Sequence, residues 1–251
     1  MLMEIEGKSE LHKPIVPNKG RMIMDAFETY RVRSFADLGA CWGVNAGYSY
    51  QALMSFNIER AYVVDTHVTK IAEERSRLYP NLQFVTGEIG YQDTVDQIPG
   101  VDAIILYDML VHQAKPDWDE IIDMYAPKTR LFVVYNQQWT GSQQTQRLID
   151  LGKDEYLRNT PGGTNDAGVR VDKRIDELFD KLDQKHPLFD KTYRDAHNYW
   201  QWGITDADLI AAMWRNNFKL EWMKNFGSFY GPLPNFENHG FFFVKNNTWD
   251  Y

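Results

Sequence analysis

From Ser34 onward the chain alternates short apolar runs with amphipathic stretches. The runs "SFADLG", "RAYVVDTH", "LQFVTGE", "VDAIILYDML" and "TRLFVVYNQQW" are continuously apolar at their centres, which suits strands of a parallel sheet buried on both faces. Between them lie helical patterns: "NAGYSYQALMSF" with Asn45 as its cap, "VTKIAEERSRLY" ending near Pro80, the short "DTVDQI", and "DWDEIIDMY". Strands alternating with helices predict an α/β layer fold. Ahead of this rhythm, residues 1–20 are polar, carry Pro14 and Pro17, and read as an arm; "RMIMDAFETYRV" then places Met22, Ile23, Phe27 and Tyr30 on one helical face.

The rhythm breaks after Trp139. Residues 140–200 are polar and helix-rich, with a glycine loop "TPGGTNDAG" and no clear strand, and read as a helical insertion or lid over the sheet. Order returns with the helix "TDADLIAAMWRNNF", where Thr205 caps and Asp208 stands in for the usual Glu of a capping box. "FKLEWMKNF" and "HGFFFVK" follow as strands, the second begun by His239, with "GSFYGPLPNFEN" as the connection. The expected organisation is an N-terminal arm and helix over 1–32 and one domain over 33–251, with 140–200 inserted.

Composition narrows the function. A chain of 251 residues, 43% hydrophobic and 14% aromatic, can fill one large core. Its net charge of −8 argues against a nucleic-acid-binding surface, which concentrates Lys and Arg, and leaves a small molecule as the expected partner. Cys41 is the only cysteine, so no intrachain disulfide forms. The opening residues lack an apolar signal core, and no run reaches the ~18–20 apolar residues of a membrane helix, so a cytoplasmic protein without a membrane partner is expected.

The chemistry begins at "ADLGACWGVNA". Asp37, Gly39 and Gly43 form D-x-G-x-x-x-G between the first strand and the first helix. A dinucleotide fingerprint would need glycines where Cys41 and Val44 stand, which disfavours a nicotinamide or flavin cofactor and an oxidoreductase. With "AYVVDTH", "VTGE" and "VDAIILYDMLVH" in order, and the closing strand pair, the chain resembles the class I S-adenosylmethionine-dependent methyltransferases over about residues 33–139 and 203–245. The resemblance implies a Rossmann-like seven-stranded, mostly parallel sheet with one antiparallel strand near the C-terminus. It also implies S-adenosyl-L-methionine as cofactor and S-adenosyl-L-homocysteine as product.

By that resemblance Asp37, Gly39, Cys41 and Gly43 line the cofactor's amino-acid end, where backbone N–H groups near a helix start favour a carboxylate. Asp65 and Thr66 would meet the ribose, since a carboxylate accepts both hydroxyls in charge-assisted bonds. Glu88, shifted from the commoner Asp, and Ile89 would flank the adenine, and Asp108 would complete the site after the fourth strand. Asp37 also reads as a plain turn residue, and Cys41 as a small residue in a tight loop.

Methyl transfer to a hydroxyl needs a base. His112, at the carboxyl edge of the sheet, is the first candidate, and packing is its bland role; His197, among aromatics in "RDAHNYWQWG", is the second. Tyr135, Asn136 and Trp202 are candidates for the acceptor pocket, and "WQW" could stack on a ring or fill core. Asp108 and Asn136 stand near the metal positions of some O-methyltransferases, but Tyr135 replaces the needed aspartate, so no metal is assigned. The basic residues Arg147, Lys153, Arg158, Arg170, Lys173 and Arg174 read as a solvated face or as a lid with an arginine for an acidic acceptor.

The expected activity is methylation of a small acceptor, at oxygen, on a sugar or natural product. A same-fold aminopropyl transferase and a non-catalytic cofactor-binding module remain open. Turnover to the homocysteine product separates enzyme from module.

Overall fold

The computed structural model describes residues 13–161, 174–187, 189–196, 198–231 and 233–246. The core is a seven-stranded sheet of β1 (Ser34–Leu38), β2 (Arg60–Asp65), β3 (Leu82–Thr86), β4 (Val101–Tyr107), β5 (Thr129–Trp139), β8 (Phe218–Tyr230) and β9 (Leu233–Lys245). Its order is β3-β2-β1-β4-β5-β9-β8. The strands β1 to β5 pair in parallel, and β9 runs antiparallel to both β5 and β8, so it is the one reversed strand. This is the expected sheet. Its parallel strands are buried along most of their length because helices cover both faces: β1 is buried at every residue and β4 at all but one.

One face is covered by α1 (Pro17–Thr29), α2 (Gly47–Ser55) and α3 (Lys70–Ser76), which bury Met22, Ile23, Phe27, Tyr50 and Leu53 against Phe35, Ile105 and Val133. The other carries α4 (Gln92–Asp96), α5 (Trp118–Tyr125) and α8 (Asp206–Arg215), with Ile121, Ile122, Leu209 and Met213 against Leu38, Ile104, Phe132 and Phe241. Phe27, Phe35, Phe132 and Phe243 are among the largest fully buried side chains; truncating such a ring to Ala costs about 3–5 kcal/mol.

Four local expectations are corrected. The first helix begins at Pro17, inside the stretch read as an arm, because proline is suited to the first helical turn. The segment 140–200 does contain a strand: β6 (Gln146–Arg147) pairs antiparallel with β7 (Trp202–Gly203). Around that ribbon, α6 (Lys153–Asn159) and α7 (Arg174–Asp180) enclose a third core of Leu148, Ile149, Tyr156, Ile175, Leu178 and Trp200. The last two strands are longer than their apolar runs, β8 reaching Tyr230 and β9 starting at Leu233, so His239 sits inside β9 opposite Asn136 rather than at its start. Thr205 caps α8 as expected, accepting from the Asp208 N–H at 3.2 Å. The Asp208 carboxylate, however, turns to the Thr145 N–H at 2.8 Å and ties the helix start to the insertion. Among the described residues no helix is long and apolar enough to cross a membrane.

Candidate active site

The turn after β1 takes its shape from backbone that ordinary residues avoid. Gly39 and Gly43 have φ of +74° and +71°, and Asn45 and Ala46 follow at 50° and 56°. The Gly39 N–H donates to the Val64 carbonyl at 2.7 Å, which fastens the turn to β2. A Cβ on Gly39 would also fall 2.1 Å from the Met109 sulfur. Asn45 is not the helix cap. That place is held by Ala46 in the left-handed region, and the Asn45 side chain is fully buried with neither its Oδ1 nor its Nδ2 bonded. A cap needs extended backbone to swing its oxygen back onto the helix, and the left-handed run denies it.

Two carboxylates flank the turn. Asp37 is buried on β1 and accepts from the Ser49 hydroxyl at 2.6 Å. Burial pushes its carboxyl up to about 7, against the Ser49 hydrogen bond, with Asp65 adding to the rise. Asp65 ends β2 and accepts from the N–H of Cys41 at 2.8 Å and of His67 at 3.2 Å; burial raises it and those N–H groups oppose the rise. The Cys41 thiol is pushed up to about 12, first by burial and then by Asp65, so it is an inert small side chain whose backbone does the bonding. Thr66 reaches the Asp65 carboxylate at 3.5 Å.

At the end of β4 stands a residue with no signal in the sequence. Lys19 of α1 is 6% exposed and forms a close ion pair with Asp108. Its ammonium lies 4.7 Å from the centre of the Tyr135 ring and 5.8 Å from that of Tyr107. Asp108, at φ 58°, also accepts from the Gln137 amide at 2.6 Å. Tyr48 closes the group, edge-on to Tyr107 at 5.3 Å. Asp108 is therefore committed to an ammonium, and a metal at this edge would have to displace it. Asn136 is fully buried and bonds the Gln137 carbonyl at 3.2 Å. Among the described residues no group of three or more His, Cys, Asp or Glu is placed to hold a metal.

His112 lies in a short 3₁₀ turn, Leu110–His112, just past β4. Its Nδ1 is 2.9 Å from the Tyr199 carbonyl, which can only accept, so Nδ1 carries the proton and Nε2 the lone pair. Burial lowers the imidazole below its ordinary value against the pull of Tyr199 and Asp108, and the ring is neutral near pH 7. It meets Trp200 edge-on at 5.7 Å. His197, the second candidate, and most of the glycine loop lie outside the described residues. His239 is held between Asp206, at 2.9 Å, and Glu237, at 3.3 Å; burial opposes its charge, and the two carboxylates outweigh burial and raise it.

The insertion reaches the site through side chains distant in sequence. Lys191 is 3.1 Å from the Glu88 carboxylate and 3.2 Å from the Ala114 carbonyl, so Glu88 is held by an ion pair. Ile89 is buried in the sheet core. Trp202 is partly buried, with its indole N–H on the Gln113 carbonyl at 2.6 Å, whereas Trp200 packs in the insertion core. Among the cations of the insertion, Arg147 meets Asp195 at 2.6 Å, Lys153 meets Asp176 at 2.8 Å, and Arg158 pairs with Glu155. Arg170 and Lys173 lie outside the described residues. The fold thus gathers Asp37, Gly39, Cys41, Gly43, Asp65 and Asp108 at one edge, with His112 in the turn beyond β4. Lys19, Lys191 and Asn45 are contributions that local pattern did not reveal.

The donor set fits the amino-acid end of S-adenosylmethionine. A glycine turn passes close to whatever it faces, and the unbonded, buried Asn45 amide offers both a donor and an acceptor. Asp65 keeps acceptor capacity beyond its N–H bonds.

The chain matches no protein-family model and no curated protein sequence. Its likeness is to solved structures of low identity. The N-terminal domain of EvdMO1 with SAH bound is 14% identical at a TM-score of 0.54, over 92% of this chain and 82% of that one. The Burkholderia thailandensis 1,6-didemethyltoxoflavin-N1-methyltransferase, with that compound and S-adenosylhomocysteine bound, is 10% identical at 0.56, over 91% and 77%. The mitomycin 7-O-methyltransferase MmcR is 12% identical at 0.51, over 91% and 53%. The chain has the Rossmann-like fold of class I S-adenosylmethionine-dependent methyltransferases.

Proposed function

We propose that this protein is an S-adenosylmethionine-dependent methyltransferase acting at oxygen on a small molecule. The observation that carries the reading is the tautomer of His112, which leaves an unprotonated Nε2 at the carboxyl edge of β4. The cofactor supplies an electrophilic methyl group when bound. The protein's own residues do the rest. The turn from Gly39 to Gly43 and Asn45 holds the amino-acid end, and Asp65 holds the ribose. Glu88, kept in place by Lys191, flanks the base. His112 Nε2 takes the proton of the acceptor hydroxyl, and a neutral imidazole is the form that can do so.

Support for a small acceptor comes from the neighbours, two of which are named for natural-product substrates, one methylated at nitrogen and one at oxygen. The choice of oxygen rests on His112, since the deprotonation of a hydroxyl needs a base. The covering segment 140–200 is proposed as a lid over the acceptor.

Calorimetry tests the cofactor first. S-Adenosylhomocysteine should bind and NAD should not. NAD binding without binding of the homocysteine product would overturn the reading. With binding established, S-adenosylhomocysteine release against a panel of hydroxylated acceptors tests the chemistry.

A further inference from the structure

The end of the sheet opposite the candidate site has a groove of its own. The parallel strands β1, β2, β4 and β5 begin there, and β9, running the other way, ends there. Arg60, Asp102, Lys128, Arg130 and Lys245 line one open cavity of about 410 Å³, within the size range of small-molecule sites. Arg60 opens β2 and Lys128 immediately precedes β5. Three strand spacings separate β2 from β5, roughly 14 Å, and Arg and Lys side chains are long enough to converge on a ligand between them.

Four of those five side chains are cationic, in a chain whose acidic residues outnumber its Lys and Arg by 35 to 27. The one carboxylate is spent inside the protein. Asp102 Oδ2 accepts from the N–H groups of Arg33 and Ser34 at 2.8 and 3.0 Å, and Oδ1 accepts from Arg130 Nε at 2.9 Å. Burial raises its carboxyl, but the Arg33 N–H and Arg130 outweigh burial and hold it below the ordinary value, so it is ionised and answers Arg130. Glu59, next to Arg60 in sequence, is paired with Arg33. Among the described residues no carboxylate lies within ion-pair distance of Arg60 or Lys128. Neutral groups steady the other two cations: Lys245 donates to the Ala126 carbonyl at 3.0 Å, and Arg130 to the Tyr30 carbonyl at 3.2 Å.

We infer that this groove binds a compact polyanion, a di- or triphosphate group. A monocarboxylate would answer only one of Arg60 and Lys128, whereas a polyphosphate brings several charges on one short chain. The guanidinium fork also matches phosphate oxygens, and lysine adds a point charge. Because the groove is open, the anion keeps part of its hydration and escapes the full penalty of burial. The site lies at the far end of the strands from the Gly39–Gly43 turn, so the inference stands apart from the transferase reading.

The test is titration of the natural protein with inorganic triphosphate at about 0.15 M salt, followed by backbone amide shifts. The expected result is saturable binding, with shifts centred on Ser34, Arg60 and Thr129 and none at Gly39 or Gly43. By calorimetry Lys128→Gln and Arg60→Gln should each weaken binding by about tenfold, as for a lost hydrogen bond to a charged group, with melting temperatures unchanged. Lys70→Gln removes the same charge from α3, outside the groove, and should leave the affinity nearly unchanged. ATP binding more tightly than triphosphate at the same amides would name a nucleotide as the source of the phosphates. Equal affinities would name the free polyphosphate, and either outcome keeps the site. Shifts absent from those amides, or found at Gly39 and Gly43 instead, would overturn the site without recourse to any variant. An equal loss in Lys70→Gln would reduce the binding to overall charge and overturn it as well. Citrate binding as tightly as triphosphate would overturn the phosphate class.

Discussion

Asp65 and His112 carry opposite kinds of information. Asp65 already accepts two backbone N–H groups, so its carboxylate is held in place by the protein. Asp65→Ala should weaken S-adenosylhomocysteine binding by about 2–3 kcal/mol, as for lost hydrogen bonds to a charged group, and calorimetry reads the loss. An unchanged affinity would leave the residue with the sole task of bracing the Cys41 turn. For His112 the readout is rate. His112→Ala should lower turnover by about 10²–10⁴-fold with cofactor affinity nearly unchanged. Because burial lowers the imidazole, the acid limb of the rate profile should fall below the ordinary value of about 6.5. A small loss of rate accompanied by a lower melting temperature would assign His112 to packing against Trp200.

Elements were legible where one physical cause dominated. Continuous apolar runs announced the five parallel strands, and the glycines and carboxylates along them mark the edge where the candidate residues gather. Asn45 was misread because its residue type favours capping while its backbone is left-handed, a property set by the whole turn. The strands β8 and β9 outran their apolar cores because "GPLPNFEN" has turn composition, whereas pairing with β5 and β8 holds most of it extended. Lys19 and Lys191 left no local trace, since their partners Asp108 and Glu88 lie far along the chain and only packing joins them. The link between α8 and β9 is equally tertiary and has a pH signature. His239 is raised in the folded protein by Asp206 and Glu237, so its stabilisation is full below the unfolded value of about 6.5 and disappears as pH rises through the folded value. Asp37, raised to about 7, acts in the same direction, losing its contribution as pH rises from about 4 through 7. Thermal melts from about pH 5.5 to about 9 should therefore fall at the alkaline end in the natural protein. In His239→Gln only the part that ends near Asp37's titration should persist.

At the scale of the whole molecule, the insertion is joined to the rest of the fold by bonds that include Lys191 to Glu88, Tyr199 to His112, and Thr145 to Asp208. Each joins it to a candidate cofactor or acceptor residue or to the start of α8, so ligand occupancy and insertion stability should be coupled. Hydrogen exchange over residues 174–196 should slow when S-adenosylhomocysteine is added, and Lys191→Met should remove much of that slowing while the sheet stays protected. Identical protection with and without the ligand would make the insertion rigid architecture. The Lys19–Asp108 pair has a practical side. Helix α1 precedes the sheet and looks expendable to anyone trimming the chain to its repeating strands and helices. A protein shortened to start at Arg21 would strand the Asp108 carboxylate and strip the Tyr107 hydroxyl of the Lys19 carbonyl it meets at 2.9 Å. Fusion partners, affinity handles and fluorescent labels therefore belong upstream of Pro17, where they leave that lysine in its place.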